Sequence, residues 1–458
     1  MLSARSVAAS TVGGSNSDHA ATHWPWMAVF GPSTTVVRPS RRAASSPTRV
    51  LPVPGGRTTH AWREPFAHAA SSAARASTCC RRSVPGHPVA AYALPESTAA
   101  RVRTPAGPAG SVRRMTPTVP PDRPVRWGIV ATGGIAATMA RDLGDVDDAV
   151  RHAVASRDRL RAQAFAEEHG FARAYGAYEE LLADPDVDVV YVATPHRQHH
   201  AVALAAIEAG QPILVEKAFT VTVAGAADVL DLARECGVFA MEAMWTRFLP
   251  IVSRIRELVA GGAIGEVRSL AADLGFVREM DRWDRLWDKD QGGGAVLDLG
   301  VYPISFAQMI LGDPVRVQVT GTIGPTAVET GAGLLLDHAS GARAMIDCSM
   351  VTPLAGRVSI TGTGGRIDIP PRFHHPARAL LVREGAEPEE LRAEGELATV
   401  GHGFAHQVRE VQRCLRAGLL ESPVMPRADT LSVMRTMESA LRGLGVEHSE
   451  DPDVLLRT

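Results

Sequence analysis

Val125-Arg126-Trp127-Gly128-Ile129-Val130-Ala131-Thr132-Gly133-Gly134-Ile135-Ala136 is the stretch whose reading decides the fold. Val125 to Ala131 is apolar and reads as a strand, and Ile135 to Leu143 reads as a helix. The turn between them has the form A-x-G-x-x-A, in which only the central glycine, Gly133, meets the strict dinucleotide fingerprint. Gly133 lets the backbone approach a pyrophosphate, and small Ala136 lets helix and strand pack closely. Thr132, Gly134 and Ile135 complete a turn that brings the anion to free helix N–H groups. A glycine turn alone is often only a turn, so the assignment depends on the elements downstream of Leu143.

Those elements alternate. Arg151 to Ser156 reads as a strand, Arg159 to His169 as a helix, and Val187 to Ala193, mostly β-branched, as a central strand covered on both faces. Gln198 to Ala209, Pro212 to Glu216, Val223 to Cys236 and Val238 to Glu242 continue the series. After Met244 the pattern changes to longer alternating strands, at Val267 to Leu274, Arg316 to Thr322, Gly333 to Asp337, Ala342 to Ser349 and Arg357 to Thr361. Phe404 to Leu415 and Leu431 to Leu441 read as closing amphipathic helices. The fold class is therefore α/β: a Rossmann-type doubly wound parallel sheet over 122–243, then an α+β domain with an open, mainly antiparallel sheet over 244–458.

Residues 1–121 have a different texture. Met1 to Arg114 holds fourteen arginines, no lysine and three acids (Asp18, Glu64, Glu96), a net charge near +11, which leaves about −13 for the rest of a chain whose total is −2. Rich in Ala, Ser, Arg and Pro and without periodicity, it reads as a disordered basic extension. It lacks the apolar core of a secretory signal, and it is long for a transit peptide. Met115 stands just before the first strand, which favours an over-called translation start. A nucleic-acid arm is the alternative, weakened by the absence of lysine and scarcity of aromatics. The five cysteines, Cys79, Cys80, Cys236, Cys348 and Cys414, show neither zinc nor disulfide spacing. No apolar run of about 18 residues stands out, so the expectation is a cytoplasmic protein without membrane or nucleic-acid partners.

The end of the second strand selects the cofactor, because NAD binders place an acid there. Here it reads Ser156-Arg157, and Arg161 comes one helical turn later. Two guanidinium groups converging on a 2′-phosphate favour NADP over NAD; two solvated arginines are the plainer alternative. Bare cations at a helix start are unfavourable, and a phosphate would relieve them.

Thr194-Pro195-His196-Arg197-Gln198-His199, Val215-Glu216-Lys217 and Gly292-Gly293-Gly294-Ala295-Val296-Leu297-Asp298-Leu299-Gly300-Val301-Tyr302 together resemble the glucose-fructose oxidoreductase, inositol dehydrogenase and MocA superfamily. Phe239 to Pro250, with His196 and Tyr302, is similar to its dimeric dihydrodiol dehydrogenase branch, which includes NADP-dependent D-xylose dehydrogenases. The resemblance covers roughly Val125 to Val446 and implies that Arg157 and Arg161 serve NADP. It further implies a homodimer formed through the C-terminal sheet. One departure is Ala218 where the superfamily has proline after the lysine, which removes a fixed φ from the loop presenting Lys217.

Oxidising an alcohol needs a base for the hydroxyl proton while the nicotinamide takes the hydride. Tyr302 is the candidate acid/base, and Lys217 its positioner, expected to lower the phenol's pKa. Asp298, four residues before Tyr302, shares its helix face and can orient either group or a substrate hydroxyl. His196, His199, Thr194 and Glu216 sit at the carboxyl edge of the sheet, where cofactor contact is expected; two histidines without a further ligand argue against a metal. Trp245 and Phe373 are candidates for a substrate-pocket wall or for ordinary core packing. The expected activity is NADP-dependent hydride transfer to or from a small sugar or trans-dihydrodiol. Carbonyl reduction in the reverse direction and a non-catalytic nicotinamide sensor are the alternatives.

Overall fold

The computed structural model describes residues 91–93, 119–120 and 122–456. Expectations for the remainder of the first 121 residues, including Cys79 and Cys80, lie outside the described residues. Ala91–Ala93 (β1) pairs antiparallel with Pro314–Ile323 (β9) at a sheet edge, so these three residues of the extension have a partner.

The first domain is built from β2 (Val125–Val130), β3 (Ala149–Ala155), β4 (Arg173–Tyr175), β5 (Val189–Val192), β6 (Ile213–Glu216) and β7 (Ala240–Ala243). Their order is β4-β3-β2-β5-β6-β7, and every pairing is parallel. That is the doubly wound dinucleotide-binding order, with the direction of winding reversing between β2 and β5. All four residues of β5 are buried, as the β-branched run requires. The helices are α1 (Gly134–Leu143), α2 (Arg159–His169), α3 (Tyr178–Leu182), α4 (His199–Glu208) and α5 (Val223–Cys236). Asp158 and Thr222 cap α2 and α5 with side-chain bonds, and Gly170 (φ 73°) and Gly237 (φ 69°) end them in the left-handed region that glycine adopts without strain.

The second domain holds α6 (Pro250–Ala260), β8 (Val267–Gly275), α7 (Val301–Leu311), β9, β10 (Glu329–His338), β11 (Arg343–Ser349), β12 (Val358–Gly362), β13 (Gly365–Ile369), β14 (Arg378–Arg383), β15 (Glu389–Arg392), α8 (Phe404–Arg416) and α9 (Arg427–Gly443). The strands form one sheet in the order β1-β9-β10-β11-β8-β12-β13-β14-β15. It is antiparallel except where β11 runs parallel to β8. Leu270, Ala272 and Leu274 of β8 and Ala344, Ile346 and Cys348 of β11 point to the core beneath α7. Between them, Ala271, Met345 and Asp347 are exposed on the other face.

The expectation that no run of membrane-spanning length stands out is corrected by Lys289–Leu311, a helical run that could cross a bilayer by length and composition. Its most apolar window is 78% buried inside the protein, so it serves as the core helix of the second domain. Among the described cysteines, Cys236, Cys348 and Cys414 are free.

Candidate active site

The fingerprint turn folds as its residues suggest, with one cost. Ala131, where the strict motif has glycine, takes φ 85°, a conformation that disfavours a side chain. Gly133 is the N-cap of α1; it offers no side-chain cap, and no acid lies in the first turn. A Cβ placed on Gly133 would meet no atom within 4 Å, so the helix start opens on a cradle that an anion can fill. Nearby, Thr194 Oγ1 is buried and has no hydrogen-bond partner among the described residues. Both features fit a dinucleotide held by Thr132, Gly133, Gly134, Ile135 and Thr194.

Ser156, Arg157 and Arg161 lie at the end of β3 and the start of α2, as expected. Ser156 is buried and its Oγ accepts from the Asp158 amide at 3.3 Å, while both arginines are exposed. The start of α2 does not itself call for a phosphate, because Asp158 Oδ1 already accepts from Leu160 N (2.9 Å) and Arg161 N (3.3 Å). An aspartate directly before the first helical residue is the sequence signal for that cap. Arg157 lines a narrow cleft with Gly176, Tyr178, Val454 and Leu455.

Lys217 comes directly after β6 at the carboxyl edge of the sheet; its peptide bond to Ala218 is cis. Its Nζ donates to the Asp298 main-chain oxygen at 2.9 Å, lies 3.5 Å from Asp298 Oδ1, and sits 4.8 Å from the centre of the Tyr302 ring. Asp298 belongs to a π-helical turn, Val296–Gly300, that runs into α7, and Tyr302 is the second residue of α7. The acid is therefore not a helix cap. Its Oδ1 also accepts from Arg285 Nη2 at 2.9 Å. Despite burial, Lys217, Arg285 and His196 hold the Asp298 carboxyl well below its usual range. Burial likewise opposes the Lys217 charge, yet Asp298, Tyr302 and Glu216 keep its pKa above the ordinary value.

The expected lowering of the tyrosine pKa is overturned. Burial pushes the Tyr302 phenol above its ordinary value and outweighs the pull of Lys217. The Tyr302 oxygen accepts from Trp245 Nε1 at 2.9 Å. Trp245 also packs edge-on to His374, with ring centres 6.1 Å apart, so it stands beside the Tyr302 hydroxyl. Phe373 does not: it is fully buried against Phe306, and its neighbour His374 faces Tyr302 with ring centres 5.5 Å apart. The sequence offers no way to choose between the two positions, since loop residues carry no alternation.

The remaining edge residues are largely spent on backbone. His196 Nδ1 pairs with Gly292 O at 2.9 Å. His199 is fully buried between Thr194 O (2.8 Å) and Ala218 O (2.9 Å). Burial lowers their pKa values to about 3 and about 4, which keeps His196 neutral; at His199 the two carbonyl oxygens, each an acceptor for a ring N–H, oppose that lowering. Glu216 accepts from the Tyr191 hydroxyl and from Lys217 N, and burial raises its carboxyl to about 6. One group with metal-ligand spacing occurs among the described residues, His152 with Asp184 and Asp186, but Arg126 and Arg173 already occupy its carboxylates.

Arg197, between the two histidines, fastens three segments. Its guanidinium donates to Asp290 O (3.0 Å) and Ser449 O (2.6 Å), and its own carbonyl accepts from Asp451 N (2.8 Å). The chain then leads to buried Val454 in the cleft beside Arg157.

Comparison with known proteins agrees with this geometry. Residues 125–244 match the oxidoreductase family with an NAD-binding Rossmann fold, and residues 252–368 match the GFO/IDH/MocA C-terminal domain. The chain is 35% identical over 332 residues to a trans-1,2-dihydrobenzene-1,2-diol dehydrogenase of Mus musculus, a match that covers 71% of this chain and 99% of the relative. The corresponding Homo sapiens protein is 32% identical over 337 residues, with the same coverage. Among solved structures, KijD10, a 3-ketoreductase from Actinomadura kijaniata in complex with NADP and TDP-benzene, superposes with a TM-score of 0.62 at 27% identity, covering 72% of this chain and 100% of its own. A levoglucosan dehydrogenase in complex with NADH and levoglucosan shares the fold, with a TM-score of 0.65 at 19% identity over 70% of this chain and 98% of that one. A parallel sheet with an anion-ready first turn, a Lys217–Asp298–Tyr302 cluster at its edge, the two matching family domains and relatives matched over 99% of their length place this chain in the GFO/IDH/MocA family of NAD(P)-dependent oxidoreductases.

Proposed function

We propose that this oxidoreductase uses NADP to oxidise a small sugar or trans-dihydrodiol, with Tyr302 as the acid/base and Lys217 as its electrostatic partner. The observation that carries the reading is the convergence of Trp245 and Lys217 on Tyr302, with Asp298 holding Lys217, at the carboxyl edge of the dinucleotide-binding sheet. A bound nicotinamide supplies or accepts the hydride. Tyr302 takes the proton from the substrate hydroxyl, and the Trp245 N–H holds the phenol oxygen in place. Lys217 stabilises negative charge developing on the phenol from the ring face, and the Asp298 carbonyl fixes its ammonium. Exposed Arg157 and Arg161 support a 2′-phosphate.

The raised Tyr302 pKa supports a second reading, carbonyl reduction, in which the resting phenol is already the proton donor. Exposed Ala271 and Met345 support a homodimer formed through the outer sheet face. Purified protein assayed against pentoses, hexoses, inositols and trans-dihydrodiols with NADP and with NAD, and against the matching carbonyls with the reduced cofactors, tests the proposal. Turnover with none of them defeats it.

A further inference from the structure

Glu329, the first residue of β10, is fully buried, and no sequence motif singles it out. Its Oε1 accepts from Val296 N at 2.8 Å. Val296 opens the helical run that carries Asp298 and Tyr302, and the first N–H groups of such a run have no partner within the helix. A carboxylate there meets the positive end of the helix.

The G-G-G run explains how the carboxylate gets in. A Cβ on Gly292 would meet His196 Cβ at 2.8 Å, and one on Gly293 would meet the main-chain oxygens of Arg285 and Leu286 at 2.6 Å. Gly294 differs from both. It takes φ 119°, and a Cβ there would fall on the Glu329 carboxylate, 2.6 Å from its Cδ. From Val296 the chain leads directly to the Asp298 carbonyl that anchors Lys217, and then to Tyr302.

We infer that Glu329 is a positioning residue for Tyr302: its buried carboxylate fixes the start of the run carrying Asp298 and Tyr302, and Gly294 lacks a side chain in order to admit it. The inference rests on Tyr302 being the proton-transfer group. Burial raises the Glu329 carboxyl to about 7, so charged and neutral forms coexist near neutral pH, and an oxygen of either accepts from Val296 N as a glutamine amide oxygen would.

The test compares Glu329→Gln, Glu329→Asp, Glu329→Ala, Gly294→Ala and the Glu329→Ala/Gly294→Ala double variant. Two readouts are taken: turnover of trans-1,2-dihydrobenzene-1,2-diol with NADP, and hydrogen exchange of the peptide spanning residues 294–302. Glutamine keeps an acceptor for Val296 N and should hold kcat within about threefold of the parent. Aspartate, one methylene short, and alanine should each lower kcat by roughly tenfold or more, leave the KM for NADP within about twofold, and speed exchange in this peptide. Gly294→Ala should be at least as harmful as Glu329→Ala in the parent and cost less in the alanine background, where the collision is gone and only the strain of a side chain at φ 119° remains. If Glu329→Ala does not fold, the aspartate and glutamine variants decide the matter. Parent-like kcat and exchange in Glu329→Asp, glutamine as harmful as alanine, or equal cost of Gly294→Ala in both backgrounds overturns the inference. If the parent turns over this diol poorly, kcat is read on whichever sugar or diol it does oxidise; if it turns over none, the proposed function has failed, and the exchange comparison alone decides whether Glu329 holds the helix start.

Discussion

Lys217 meets Tyr302 at the face of its ring, 4.8 Å from the centre, while Trp245 Nε1 meets it at the hydroxyl, 2.9 Å from the oxygen. The two neighbours therefore do different things. Trp245 orients the oxygen, and Lys217 biases its charge through space.

If Tyr302 transfers the proton, Tyr302→Phe keeps the ring and its contacts with Lys217 and His374 but removes the titrating group. Its kcat should fall about a hundred- to ten-thousandfold, while NADP affinity measured by fluorescence titration stays put. A near-normal kcat would contradict the assignment.

Lys217→Met should move the pH profile upward. Burial already holds the phenol above its usual value, and Lys217 works against that, so removing the ammonium raises the pKa further. Alcohol oxidation, which needs the phenolate, should then require higher pH. Carbonyl reduction, which needs the phenol, should persist to higher pH. Profiles of kcat in both directions check the sign, and a downward shift in either excludes Lys217 as the electrostatic partner.

Arg157→Asp combined with Arg161→Ala should weaken NADP by at least about tenfold while NAD changes little, because only the 2′-phosphate loses its charge-assisted bonds. The two dissociation constants measured side by side decide it. Equal loss for both cofactors would leave the arginines as solvated surface groups.

Glu242, buried at the end of β7, should make stability depend on pH. Burial raises its carboxyl from 4.5 to about 7, against the opposing pull of Thr430 and Arg247. Between those values the folded state keeps a proton that the unfolded chain has released, so stability falls as pH rises through the window. Glu216 and Glu329 are raised in the same window, so Glu242→Gln should remove one group's share of the slope and gain about 2–3 kcal/mol at pH 8 relative to its effect at pH 5. Urea titrations at the two pH values measure it, and an unchanged slope would show that another group carries the dependence.

Much of the fold is legible in the chain because the decisive signals are local. The A-T-G-G-I-A turn sits between a strand and a helix, and Val223–Cys236 and Arg159–His169 fold over the spans their periodicity marks. β4 and α3 escape because three and five residues are too short for a period to register. β15, Glu389–Arg392, escapes for a different reason: it is mostly charged, and Glu389 and Glu390 pair with Arg383 and Arg378 of the neighbouring strand. At the site, residue identity points to Tyr302 and Lys217, but the sign of the phenol's pKa shift turns on burial, which no spacing reveals. Glu329 lies 33 residues from Val296 in sequence, so only the folded sheet brings them together.

The contacts of Arg197 bear on how the protein should be handled at the bench. Ser449 and Asp451 are fastened to it, and Val454 and Leu455 line the cleft beside Arg157, so residues 449–455 lie at the proposed nucleotide edge. An affinity handle fused after Thr458 would begin only a few residues beyond that cleft. Apparent NADP affinities from such a fusion would report the handle as well as the enzyme, and a handle at the opposite end of the chain is the sounder choice for measuring cofactor binding.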